Sequence, residues 1–108
     1  MGLDVFRHSE LPDLTSWEAL QRTVTESFGD EDDVLMDIFG GLRPADFPVL
    51  SRIDPYGDTV LDSGQCATAR AEVQTIPDWR SNPQLVLLEA LLSKCGEAPG
   101  TYVYIAGD

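Results

Sequence analysis

The apolar residues of this chain fall into short runs separated by polar, glycine and proline breaks, and the spacing within each run predicts its conformation. "GLDVF" near the start has the length and residue types of a first strand. In residues 11–29, "LPDLTSWEALQRTVTESFG", Trp17, Leu20, Val24 and Phe28 recur at helical intervals, Thr15 and Glu18 have capping-box spacing, and Gly29 closes the run. This predicts a helix. A second, short helix is expected in "DDVLMDIFGG", with Asp32 or Asp33 as cap, Val34, Leu35, Ile38 and Phe39 as its apolar residues, and Gly40-Gly41 as its stop. "FPVLSRI" reads as a strand, with Val49, Ser51 and Ile53 on one face and Leu50 and Arg52 on the other. Pro55 then presets φ for a turn, and Gly57 tolerates the positive φ of a bulged type I turn. "TVL" is therefore expected to return antiparallel to residues 49–53 as a hairpin.

The second half is more strongly marked. Asp62 or Ser63 is placed to cap a helix through "SGQCATARAEVQTI", with Cys66, Ala69, Val73 and Ile76 as its buried stripe and Pro77 as its end. "NPQLVLLEALLSKCG" has Asn82 as N-cap, Pro83 in the first turn and Gly96 just past Cys95. Its apolar residues, Leu85 to Leu88, Ala90 to Leu92 and Cys95, predict a helix covered on more than one side. "TYVYIA" is rich in β-branched and aromatic residues on both faces, as a central strand would be.

The expected fold is therefore α/β. It is a small two- or three-layer arrangement of three to four strands with about four helices, in the order β-α-α-β(hairpin)-α-α-β, and right-handed crossovers permit a mixed sheet. The absence of repeats and low-complexity linkers gives one domain over residues 1–108. This order, with its acidic second helix, resembles the barstar family of small acidic inhibitors of a bacterial ribonuclease. The likeness is one of topology and charge and carries no residue roles. "MGLD", "DPYGDTV" and "TYVYIAGD" also resemble a group of small bacterial proteins of unassigned function.

Charge changes the picture more than composition does. The 108 residues hold 19 acidic and 7 basic side chains, a net charge of −12. The seven bases (Arg7, Arg22, Arg43, Arg52, Arg70, Arg80 and Lys94) stand singly along the chain, which argues against nucleic acid and against an anionic membrane surface. No apolar run is long enough to span a membrane and no signal-peptide pattern opens the chain, so the expected location is cytoplasmic. Cys66 and Cys95, without companion Cys or His, are expected as buried, reduced thiols.

The candidate chemistry falls in two places. Asp30, Glu31, Asp32, Asp33 and Asp37 form an acidic patch suited to steering a basic partner, and the same residues would also favour a helix N-terminus. Asp54 and Asp58 flank Tyr56 in "DPYGD", where an aromatic between carboxylates suits recognition of Arg or Lys on another protein, or else folds back over the sheet. Asp54 would in that case serve local backbone N–H groups. A calcium loop does not match the register, no catalytic motif occurs, and His8 is the lone histidine. Neither a cofactor nor a metal is expected. Trp79, beside Arg80 in the loop before the last helix, is expected to cap the core rather than to anchor an interface. These features point to a non-enzymatic binder of a basic protein, most specifically an immunity or antitoxin-like inhibitor of a toxin enzyme. The alternatives are a small ligand- or divalent-metal-binding module or enzyme using Asp54 and Asp58, and a homodimeric structural or regulatory subunit joined through the last helix.

Overall fold

A computed structural model describes residues 3–107. Its strands are β1 (Asp4–His8), β2 (Val24–Gly29), β3 (Asp58–Asp62) and β4 (Tyr102–Ala106), and its helices are α1 (Trp17–Gln21), α2 (Val34–Gly40), α3 (Ser63–Val73) and α4 (Pro83–Gly96). The strands form a four-stranded sheet in the order β2-β1-β4-β3, with every neighbouring pair antiparallel. The mixed α/β class holds, whereas the mixed sheet gives way to an antiparallel one.

Two elements differ from the sequence reading. The helix expected over residues 11–29 is one short helix, α1, followed by strand β2. Val24 and Phe28 lie four apart, a spacing that satisfies a helix and equally one face of a strand, and β-branched Thr23, Val24 and Thr25 tip the backbone to the extended form. The cap is also displaced by one residue: Ser16 Oγ accepts the Ala19 N–H at 3.1 Å, while the Thr15 hydroxyl donates to Asp13. The strand and hairpin expected from "FPVLSRI" are absent as well. Leu50–Arg52 is a 3-10 turn, and β3 pairs with β4. Val49, Leu50 and Ile53 are buried at helical spacing, and the Val49 and Leu50 N–H groups donate to the buried Glu72 carboxylate at 3.1 and 2.9 Å. Those donors are thus spent on α3 and are unavailable to a ladder.

The other elements start on their local signals, though α3 ends at Val73 with Gln74 as its C-cap, so Ile76 packs on the core from the following turn rather than from the helix. Asp62 and Gln65 form a reciprocal capping box on α3, and Asn82 Oδ1 accepts the Gln84 and Leu85 N–H groups at the start of α4. Gly96 lies in the last turn of α4, where a Cβ would stand 3.2 Å from the backbone of Ala67. Glycine there allows α3 and α4 to pack closely. Helices α3 and α4 cover one sheet face and α2 packs beside α4, so that Leu35, Phe39, Val73, Leu85, Leu88 and Leu92 share one buried core with Val5, Leu61, Val103 and Ile105. Each such side chain contributes roughly 1.5–3 kcal/mol of transfer free energy. Both cysteines are free and buried in this layer, and the hydrogen bond to Cys95 together with burial pushes the Cys66 thiol up. Trp79 packs against the same core, as a cap. The last helix is less covered than expected, since Val86 and Leu87 remain 39% and 46% exposed. Strand β4 is central and buried on both faces at Val103, Tyr104 and Ile105.

On the second sheet face, Trp17 and Leu20 of α1 approach Phe6 and Tyr104. Phe6 stacks on Tyr104, with centroids 5.7 Å apart and planes at 16°, and Trp17 meets Phe6 edge-on. His8 is fully buried behind them; its Nδ1 lies 2.7 Å from Thr23 Oγ1, and its Nε2 has no hydrogen-bond partner. Burial pushes the imidazole below its ordinary value, so the native state holds it neutral. The unfolded chain takes up that proton near pH 6.5 while the folded chain resists it, so stability is full above about pH 6.5 and falls on acidification below it. Urea midpoints at pH 7.5, 6.5 and 5.5 should fall in the wild type and stay level in His8→Gln. An equal slope in the two proteins would assign the effect elsewhere.

Candidate functional site

The strand register gathers both acidic groups of the sequence at one end of the sheet. Gly29 pairs with Asp4, Asp4 with Ala106, and Ala106 with Asp58, so a single row crosses all four strands. Asp30 follows Gly29 at one side of the row, and Asp54 precedes Asp58 across the intervening turn at the other. The row is roughly 15 Å wide, from three inter-strand spacings.

Asp30 faces inward. Its carboxylate accepts the Leu35 N–H at 2.8 Å and the Met36 N–H at 3.0 Å, its own N–H donates to the Leu3 carbonyl, and Gln84 Nε2 bridges it to Gly29. It caps α2 from outside the helix, a role expected for Asp32 or Asp33. Asp33 holds the N-cap position without a side-chain cap bond, and both Asp32 and Asp33 have left-handed backbones, with φ of 56°. Asp30 is therefore a structural carboxylate rather than a member of the exposed patch, while Glu31, Asp32 and Asp37 are exposed.

Glu31 and Asp32 line a groove of about 620 Å³. Its lining includes apolar Val34, Ile38, Ile76 and Leu85, polar Gln84, and the exposed Asp78. Asp78 was not marked by sequence reasoning; "PD" before "W" signalled only a loop. It shares the left-handed conformation, with φ of 59°, so all non-glycine residues of positive φ among those described flank or adjoin this groove. The groove falls within the roughly 300–1,000 Å³ typical of ligand sites. Among the described residues, Glu31, Asp32, Asp37 and Asp78 take part in no ion pair, whereas Glu26 is clasped by Arg7 and Lys94, Glu89 by Arg70, and Asp46 by Arg43. The Lys94 ammonium, with help from Arg7, holds the Glu26 carboxyl below the usual carboxylate range.

The "DPYGD" segment is a turn, though not of a hairpin. Asp54 Oδ1 accepts the Tyr56 N–H at 2.9 Å, and the Asp54 carbonyl accepts the Gly57 N–H at 3.4 Å. Gly57 has no positive φ; a Cβ there would lie 2.6 Å from Asp54 Oδ2, so a larger residue would push the Asp54 carboxylate aside. The turn packs on the C-terminal strand, where Gly107 donates to the Gly57 carbonyl at 2.7 Å and a Cβ on Gly107 would strike the Pro55 carbonyl. Tyr56, 76% exposed, stands at the tip. Asp58 accepts the Tyr104 hydroxyl at 2.6 Å; burial and this bond push that hydroxyl up to about 12. The motifs "LD", "DPYGD" and "YIAG" thus meet at one sheet end. No three His, Cys, Asp or Glu side chains among the described residues converge as a metal site would require, and no helix is long and apolar enough to cross a membrane. No family model, curated protein or solved structure matches this chain.

The left-handed backbone at Asp78 costs more with most side chains than with glycine. Asp78→Gly should raise stability by about 1 kcal/mol and Asp78→Ala should lower it by a similar amount. Chemical denaturation reads both. Equal stabilities would mean that the loop relaxes freely and does not hold the groove in shape.

Proposed function

We propose that this chain is an acidic, non-enzymatic binding protein that docks on a basic protein through the groove beside α2, in the manner of an immunity or antitoxin-like inhibitor of a basic toxin enzyme in the cytoplasm. The observation that carries this reading is a groove whose lining joins apolar Val34, Ile38, Ile76 and Leu85 to Glu31, Asp32 and Asp78, which take part in no ion pair among the described residues. An arginine or lysine offers an aliphatic stem and a terminal charge, and the groove complements both. Asp37 on α2, with Asp54, Asp58 and Tyr56 across the sheet end, extends the same field along one side of the molecule. With a net charge of −12, that field accelerates encounter with a cationic surface. In an enzyme that acts on phosphates, the carboxylates would occupy the substrate's place and block access. The resemblance in charge to the barstar family agrees with this reading.

The test uses immobilised protein in a native lysate at low salt. The wild type should capture a basic protein that high salt releases, and the double variant Asp32→Asn with Asp78→Asn, which keeps residues tolerant of left-handed φ, should associate with it roughly tenfold more slowly. A partner bound equally fast by wild type and variant would remove the groove from the mechanism. Capture of the chain's own copies would favour a homodimer through Val86 and Leu87 on α4.

A further inference from the structure

On the sheet face opposite the large helices, a cleft of about 200 Å³ opens between α1 and the start of β3, lined by Leu14, Ser16, Trp17, Leu20, Asp58 and Tyr104. It is smaller than a site for a drug-sized ligand, at roughly 300 Å³ or more, and suits a single compact group. Its walls are aromatic. Tyr104 lies nearly parallel to Phe6 and Trp17 stands at 76° to Phe6, so the planes of the two lining rings are steeply inclined to one another. Trp17 is 60% exposed, and Leu14 beside it is exposed as well.

The cleft also carries charge. Asp58 Oδ1 takes the Tyr104 hydroxyl, while its second oxygen has neither a hydrogen bond nor an ion pair among the described residues. Asp4, one strand beyond Ala106 in the same row, is equally unpaired and adds to the negative potential around Tyr104. A tyrosine that donates to a carboxylate keeps an electron-rich ring, which favours a cation on its face. A purely apolar occupant would desolvate Asp58 without compensation. A hard metal ion would need several more oxygen ligands than Asp58 and Ser16 supply. The leucines offer surface for alkyl groups rather than for water.

We propose that this cleft binds an alkylammonium head, such as a methylated ammonium, held between Trp17 and Tyr104 and paired with Asp58. It is separate from the groove beside α2, whose lining does not include Asp58, and its binding is read without any protein partner. The same head occurs on free choline-like molecules and on methylated lysine side chains, and both are used as probes.

Choline, a peptide containing trimethyllysine, and 3,3-dimethylbutanol, the uncharged counterpart of choline, are titrated into isotopically labelled protein at constant ionic strength. Amide and indole NMR shifts are followed. The expected result is saturable movement of the Trp17 indole and the Asp58 and Tyr104 amides with the cations, and at least about tenfold weaker binding of the neutral alcohol. Trp17→Ala and Asp58→Asn, the latter still an acceptor for Tyr104, should each weaken cation binding by about tenfold, with the remaining spectrum confirming that they fold. Tighter binding of the peptide would assign the head to a protein side chain, and tighter binding of choline to a free molecule. Shifts that do not saturate, that spread over the acidic surface, or that the alcohol reproduces at equal affinity would overturn the proposal.

Discussion

The carboxylate of Asp30 holds together more of this fold than any other polar group described above. It satisfies two N–H donors at the start of α2, receives Gln84 from α4, and sits on a backbone tied to Leu3. Charge-assisted hydrogen bonds of this kind contribute about 1.5–3 kcal/mol each, and a carboxylate turned inward without them would be strongly unfavourable. Because the cap comes from five residues before Leu35, the intervening chain must double back. Asp32 and Asp33 take up that reversal in left-handed conformations, which turns Glu31 and Asp32 outward to the groove. Glu72 performs the matching task on α3, where it caps Val49 and Leu50 and draws residues 47–53 onto the helix layer.

Inward carboxylates thus do structural work, whereas Glu31, Asp32, Asp37 and Asp78 face outward and, among the described residues, take part in no ion pair. Four of the seven basic residues, Arg7, Lys94, Arg70 and Arg43, are spent on Glu26, Glu89 and Asp46. Self-repulsion among the outward carboxylates destabilises the compact state, and a cationic occupant relieves it. The groove and the aromatic cleft both place carboxylates beside apolar surface, which is the combination that alkyl cations fit.

The strong local signals of the second half were readable in the sequence. Asn82-Pro83 and the Asp62–Gln65 box act within a few residues of the helix they start, so α3 and α4 begin where the pattern put them, although α3 ends at Val73, before Ile76 and Pro77. Residues 24–29 misled because positions 24 and 28 suit both periods, and residues 47–53 misled because an alternating pattern hid a turn pinned by a distant glutamate. Asp30 and Glu72 reach partners through tertiary structure, and composition gives no sign of which acid faces inward. The same is true of the site. Glu31 and Asp32 were visible as acids, but Asp78 joins them only once α2 packs beside the α3–α4 loop, and Trp17, Asp58 and Tyr104 come from three separate elements.

The most direct test of this account is amide hydrogen exchange of Asp30→Ala beside the wild type, with urea unfolding on the same samples. Loss of the cap should lower stability by about 2–3 kcal/mol and should expose the Leu35 and Met36 amides more than those of α3 and α4. Unchanged protection at Leu35 and Met36 would contradict the central role given to Asp30, and with it the explanation of how the groove is held.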